Sequence, residues 1–342
     1  MSHSIRFLVL SLAIAGAVTL GYAQVDGERE MKQGDHSISG EVLPGSGVAP
    51  TTILISSRKP GGLILSEANL YFTSHDAAGA AVWRTAQTST PGQERVLYWE
   101  QGAIFGDIVF AKVDGTFFGY FFATKARVTT IRRVPLAGGT ATVLATVTSL
   151  DVEKNHGNLV TDGVSLFWQD ERAVRKMPIR GGAITVLDRT ALNKPTAGVS
   201  LSVNNLIYAS ENRIHFVPKS GAATTGPSLR IIVTASSRVT AFEPVANGIY
   251  WGEETGAVRL KVGSIITTIG TFPGEPTSIS TNGFTAGANV AWTQCLPQSC
   301  RLHFDFPAVH GSSMAIGGDG LGVNATSAGK FFWGDAAGVH RF

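Results

Sequence analysis

An all-β ring of four-stranded blades, a β-propeller, is the fold class that this sequence predicts. Three observations predict it: an aromatic strand recurring about every 43 residues, a glycine turn that keeps step with it, and an N-terminal strand with no unit in front of it. The composition permits such a core, because 44% of the 342 residues are apolar and only 15% are charged. A formal net charge of +3, without a basic block, excludes nucleic acid as the expected partner. Two cysteines exclude a cysteine-rich zinc module and a disulfide-dense scaffold.

The N-terminus reads as an address. Phe7 to Leu20 carries no charge, Arg6 precedes it, and Gly21-Tyr22-Ala23 places small residues where a signal peptidase cuts. Residues 1–23 are therefore expected to be a secretory signal, and the protein to be exported to the periplasm or the medium. The stretch is short for an anchor, and no later segment is long and apolar enough to span a bilayer, so no membrane insertion is expected after cleavage. Residues 24–47, rich in glycine and charge, read as a flexible lead, and 48–342 as a single propeller domain.

The repeat is carried by Leu70-Tyr71-Phe72, Leu166-Phe167-Trp168, Leu206-Ile207-Tyr208, Ile249-Tyr250-Trp251, Val290-Ala291-Trp292 and Phe331-Phe332-Trp333. Tyr120-Phe121-Phe122 is a blurred copy that fills the one gap, giving seven anchors at 72, 122, 168, 208, 251, 292 and 333. Recurrence once per unit assigns these rings to packing between blades and not to an aromatic cage. A second marker keeps register with them. Arg133-Val134-Pro135-Leu136-Ala137-Gly138-Gly139 matches Lys176-Met177-Pro178-Ile179-Arg180-Gly181-Gly182, and Phe216-Val217-Pro218-Lys219-Ser220-Gly221 is the same element shortened. Glycine pairs between β-rich runs mark tight turns, as does Asp162-Gly163 before the anchor of its unit. Each unit thus reads as four short antiparallel strands. Seven blades are favoured, with six as the alternative count.

The termini predict how the ring closes. The last unit ends with its third strand, while Thr51 to Ser57 resembles the fourth strand Thr142-Val143-Leu144-Ala145. The N-terminal strand is therefore expected to complete the last blade and to pair an otherwise open edge.

Phe167-Trp168-Gln169-Asp170 with the Pro178 and Gly181-Gly182 turn resembles the YWTD-type propeller repeat, as do Tyr250-Trp251-Gly252-Glu253 and Phe332-Trp333-Gly334-Asp335. Bacterial exported proteins built from tandem repeats of this kind share the likeness, which covers roughly residues 50 to 342. The Thr-Asp pair is intact nowhere, and that family usually closes with six blades. The resemblance implies a propeller used mainly for binding.

Residues entering the innermost strands are expected to converge around the axis at one face: Lys59, Glu100, Glu153, His156, Lys194, Arg238, Glu275 and Asp319. Such a mixture of carboxylates, cations and one imidazole suits a small polar ligand or a protein partner. Asp170-Glu171-Arg172 and Glu253-Glu254 read as solvated hairpin tips. Cys295 and Cys300, in an exported chain, are expected to form a local disulfide. Histidine spacing, phosphate loops and calcium loops give no cofactor and no metal ligand set. The expected function is a non-enzymatic binding or interaction module with its ligand at the axial mouth. The alternative is a metal-dependent lactonase or lyase using the axial carboxylates and His156.

Overall fold

The structure is a computed structural model that describes residues 51–55, 59–66, 69–88, 92–147, 158–170, 173–189, 197–221, 231–281, 289–296, 299–306, 309–316, 323–325, 331–335 and 338–341. Its strands form seven four-stranded antiparallel sheets, and these are the blades. Blade 1 is β2 (Lys59–Ser66), β3 (Asn69–His75), β4 (Gly79–Ala86) and β5 (Arg95–Gln101). Blade 2 is β6 (Ala103–Val113), β7 (Thr116–Lys125), β8 (Val128–Pro135) and β9 (Thr142–Val147). Blade 3 is β10 (Leu159–Thr161), β11 (Ser165–Gln169), β12 (Ala173–Pro178) and β13 (Thr185–Arg189). Blade 4 is β14 (Val199–Leu201), β15 (Asn205–Ser210), β16 (Arg213–Pro218) and β17 (Ile231–Thr234). Blade 5 is β18 (Val239–Val245), β19 (Gly248–Glu253), β20 (Ala257–Val262) and β21 (Ile265–Thr271). Blade 6 is β22 (Glu275–Thr281), β23 (Val290–Leu296), β24 (Ser299–Phe306) and β25 (Val309–Ile316). Blade 7 is β26 (Val323–Ala325), β27 (Phe331–Asp335), β28 (Gly338–Arg341) and, from the other end of the chain, β1 (Thr51–Ile55).

The ring closes as the termini foretell. β1 pairs antiparallel with β28, Thr52 opposite His340 and Leu54 opposite Val339. Val339 in turn packs with Leu70 and Phe72 of blade 1, so the last blade is sealed to the first. Innermost strands meet around the axis: β2 touches β6, β6 touches β10, β10 touches β14, β18 touches β22, β22 touches β26, and β26 returns to β2. Blades 4 and 5 meet through β15 and β18. Among the described residues no helix is long and apolar enough to cross a membrane.

The hydrophobic core is divided into layers between blades, not concentrated at one centre. One layer joins Tyr120, Phe122 and Ile131 of blade 2 to Leu159, Leu166 and Trp168 of blade 3. Another joins Ile207 and Ile214 of blade 4 to Phe242, Ile249 and Trp251 of blade 5. The anchors Phe72, Phe122, Trp168, Tyr208, Trp251 and Trp292 are all buried, which is the packing role their spacing implies.

A bulge recurs on the outer rim. In six blades the outermost strand carries one unpaired residue: Leu97, Leu144, Leu187, Ile232, Ile269 and Ile53. A bulge turns the extra residue out of the pleat alternation. Leu97 and Leu187 are thereby buried, and Leu144, Ile232 and Ile269 pack against neighbouring layers. Each such side chain adds about 1.5–3 kcal/mol of apolar burial where it is fully enclosed.

Candidate binding face around the axis

Strand alternation puts two kinds of connection at one end of the ring. These are the step from an outermost strand to the next innermost strand, and the turn between second and third strands. Lys59 begins β2, Arg238 immediately precedes β18 and Glu275 begins β22, so all three stand at this end on inner strands. Glu153, His156, Lys194 and Asp319 lie outside the described residues.

Two of the expected residues meet. Arg238 donates through Nη2 to Glu275 Oε2 at 3.0 Å and to Glu254 Oε1 at 3.3 Å. Arg238 is half-buried while both carboxylates are about half exposed. The guanidinium therefore straddles the seam between blades 5 and 6, held by one carboxylate from each.

Glu100 stands elsewhere. The turn at Gly102 is so tight that β5 runs to Gln101, which leaves Glu100 on the outermost strand of blade 1 and not on the axis. Its carboxylate is paired with Arg132, accepts a hydrogen bond from the Tyr98 hydroxyl at 3.0 Å and has Lys125 Nζ at 3.5 Å. Burial works against the charge of Glu100, but the Tyr98 hydroxyl and Arg132 outweigh it and hold the carboxyl below its ordinary value.

Asp170 and Glu253 correct a second expectation. They are 1% and 0% exposed, not solvated tips. Asp170 accepts the Ala173 backbone N–H at 3.0 Å and pairs with Arg175. Glu253 accepts Trp251 Nε1 at 3.0 Å, lies 3.0 Å from Arg259 Nε and is hydrogen-bonded by Ser236. The same position, two residues after the anchor, is polar in other blades. Ser74 accepts Trp83 Nε1 at 2.7 Å, and Gln294 accepts Trp292 Nε1 at 3.2 Å. Gln294 Nε2 also donates to the carbonyls of Phe272 at 2.6 Å and Gly274 at 2.7 Å. Glu253 and Gln294 thus fasten the hairpin between second and third strands to the anchor and, through Gln294, to the preceding blade, whereas Ser74 and Asp170 hold Trp83 and Arg175 of the third strand. The polar residue two places after each anchor was the sequence signal.

Cys295 and Cys300 are joined by a disulfide across the β23–β24 hairpin, where they are register partners with Cα atoms 4.1 Å apart. The bond pins one turn at the same end of the ring.

Two carboxylates on the innermost strands were not anticipated. Asp107 occupies a bulge in β6, and Glu243 lies within β18. Both are half-buried, and neither has a hydrogen-bond or ion-pair partner among the described residues. Burial pushes Asp107 up to about 7 and Glu243 up to about 8. A Cβ on Gly62 of β2 would stand 2.6 Å from Asp107 Oδ1, so only glycine admits this approach of blades 1 and 2. Both carboxylates interrupt apolar runs, Phe105-Gly106-Asp107-Ile108 and Ala241-Phe242-Glu243-Pro244, and that interruption was legible. Among the described residues no group of three or more His, Cys, Asp or Glu side chains is placed to hold a metal ion.

These features define a β-propeller that carries an Arg238–Glu254–Glu275 ion-pair cluster at the seam of blades 5 and 6. The chain is similar in fold to the WD40 β-propeller domain of Doa1, at 12% identity and a TM-score of 0.59, covering 86% of this chain and 96% of that one. It is also similar to PorZ, an essential bacterial surface component of the type-IX secretion system of Porphyromonas gingivalis, at 12% identity and a TM-score of 0.56. The extracellular domain of BT4673 from B. thetaiotaomicron matches at 10% identity and a TM-score of 0.55. The match covers 85% of this chain in both cases, but only 37% of PorZ and 39% of the BT4673 chain. At these identities the likeness is one of fold. No protein-family model matches the chain, and no curated protein matches its sequence.

Proposed function

We propose that this chain is an exported, non-enzymatic propeller that binds a small polar ligand or a protein partner at its axial mouth. The observation that carries the reading is Arg238, held half-buried between Glu254 and Glu275 across a blade seam at the end where Lys59 enters the ring. Ion pairs poised at a mouth can exchange partners with a polar ligand at little cost, since exposed pairs contribute only about 0–1 kcal/mol to the fold. Glu153, His156, Lys194 and Asp319 belong to the same reading through their place in the sequence, between outermost and innermost strands. Export is supported by the uncharged Phe7 to Leu20 stretch and the Ala23 cleavage signal, and by fold neighbours described as surface or extracellular.

The test is a thermal-shift screen of small polar molecules against the wild type, an Arg238→Ala/Glu275→Ala variant and a Glu153→Ala/His156→Ala variant. A ligand that stabilises the wild type should lose affinity by on the order of 1–2 kcal/mol in either variant. Metal-dependent turnover of a lactone, abolished in Glu153→Ala/His156→Ala, would replace the binding reading by the enzymatic one. Sequencing of the exported form should begin at or near Gln24; an intact Met1 would overturn the address.

A further inference from the structure

We infer that the innermost strands around Glu243 form a site for a primary ammonium group, with Glu243 as the principal acceptor. The inference rests on the proposed binding role and adds to it a second site, deeper on the inner strands than the mouth.

It starts from how this chain treats carboxylates. Among the described residues Asp170, Glu253 and Glu100 each have cationic and hydrogen-bonding partners, Asp114 is paired with Arg180, Asp188 accepts the Tyr208 hydroxyl, and Glu275 holds Arg238. Among the buried and half-buried carboxylates whose side chains are described, Asp107 and Glu243 alone go without, and both stand on innermost strands. A carboxylate enclosed by protein without a donor is costly unless a ligand supplies the missing charge.

The register of the inner strands then describes what surrounds Glu243. It pairs with Tyr250, the residue before its blade's anchor. The residues at the same register elsewhere in the ring are Ser200 in blade 4, Ser280 in blade 6 and Asn324 in blade 7. In blades 1, 2 and 3 they are Ile64, Ile108 and Val160. One level of the ring is therefore polar over one arc and aliphatic over the other. Ser200 and Ser280, like Glu243, have no hydrogen-bond partner among the described residues, although Ser280 is only 9% exposed.

An ammonium group needs one carboxylate and a few hydroxyl or carbonyl acceptors, whereas a metal ion needs a fuller set of ligands than these residues provide. Ile64, Ile108 and Val160 are packed into the layers between blades, so it is the polar arc that presents groups to a ligand. Charged groups on the strands packed against β18 do not compete: Glu253 on β19 is bound to Arg259, Glu275 on β22 is bound to Arg238, and β15 carries no charge. Because burial holds the Glu243 carboxyl at about 8, an ammonium that binds at neutral pH must displace a proton.

The experiment is titration calorimetry of the full exported chain with n-butylammonium and, as the uncharged control, n-butanol. Binding of the amine, but not of the alcohol, is expected, tightening as the pH rises toward about 8.5. In buffers of different ionisation enthalpy, proton release near neutral pH should accompany binding. Glu243→Gln should weaken binding by about tenfold or more and abolish the proton release. Asp107→Asn should keep the release. The Glu153→Ala/His156→Ala variant should keep amine binding, which separates this site from the mouth. No amine binding in a protein that still binds a ligand at the mouth, or undiminished amine binding by Glu243→Gln, would overturn the inference.

Discussion

Leu144, the extra residue in the outermost strand of blade 2, packs its Cδ2 3.6 Å from the point where a Cβ on Gly181 would stand, in the turn of blade 3. The Leu187 Cδ2 of blade 3 stands likewise 3.1 Å from the corresponding point on Gly221 in blade 4. In blade 1 the Leu97 carbonyl accepts the Gly139 N–H at 3.3 Å. The bulge of one blade thus locks under the proline-glycine turn of the next, and this is why the two elements recur together in the sequence.

Removing the key or distorting the lock should each destabilise the ring. Leu187→Ala should cost about 2–4 kcal/mol through lost burial and the cavity left behind. Gly181 has φ +90°, so Gly181→Ala should cost upward of about 1 kcal/mol from backbone strain alone. Chemical unfolding of both variants checks this. A neutral Leu187→Ala would contradict the lock.

Glu253, behind the anchor Trp251, holds that indole, Arg259 and Ser236 at once. Glu253→Ala should destabilise by about 3 kcal/mol, at the lower end for a broken buried pair because Arg259 keeps access to water. Glu254→Ala, one residue on and half exposed, should change the melting temperature little. Equal effects would show that Glu253 is a solvated tip after all.

Acid should weaken the fold through His303. Its ring is stacked on Trp292 with centroids 5.2 Å apart, and burial, aided by Arg301, pushes it down from 6.5 to about 4. The unfolded chain then binds the proton more readily than the folded one between these values. Stability present above about 6.5 is lost as the pH falls through about 4, to a total of roughly 3 kcal/mol. His303→Phe should be less acid-sensitive than the wild type in parallel melts; identical pH profiles would contradict the burial of a neutral imidazole.

Much of this was legible in the sequence, and the reason is physical. An aromatic residue that must fill the space between two blades recurs wherever a blade does, so Trp168, Tyr208, Trp251 and Trp292 announce the repeat. The orphan strand at Thr51 announces the closure because a ring needs an even account of strands. What stayed hidden depends on partners brought together by pairing register. The roles of Asp170 and Glu253 require Arg175 and Arg259 from the next strand, at separations of five and six residues that match no helical or metal motif. Glu100 was placed on the axis because nothing in Glu100-Gln101-Gly102 tells how far an outermost strand extends before it turns. The rim bulge left only a trace, the valine-leucine pair in Val96-Leu97, Val143-Leu144 and Val186-Leu187.

Truncation bears on closure from the N-terminal side. Deleting residues 24–57 removes β1 and should lower the melting temperature strongly, since β28 loses its partner strand and blade 7 an edge. Deleting 24–45 keeps β1 and should be nearly neutral. Equal melting of the two forms would contradict closure by this strand.

The closed seven-bladed ring depends on the pairing of β1 with β28, and one cross-link tests it most directly. Thr52 and His340 are register partners across β1 and β28 although they stand at opposite ends of the chain. A Thr52→Cys/His340→Cys variant, oxidised and mapped by peptide mass spectrometry, should contain a disulfide joining positions 52 and 340 beside the native Cys295–Cys300 bond. It should also melt higher than its reduced form. Free thiols at 52 and 340 in the folded, oxidised protein would contradict the account.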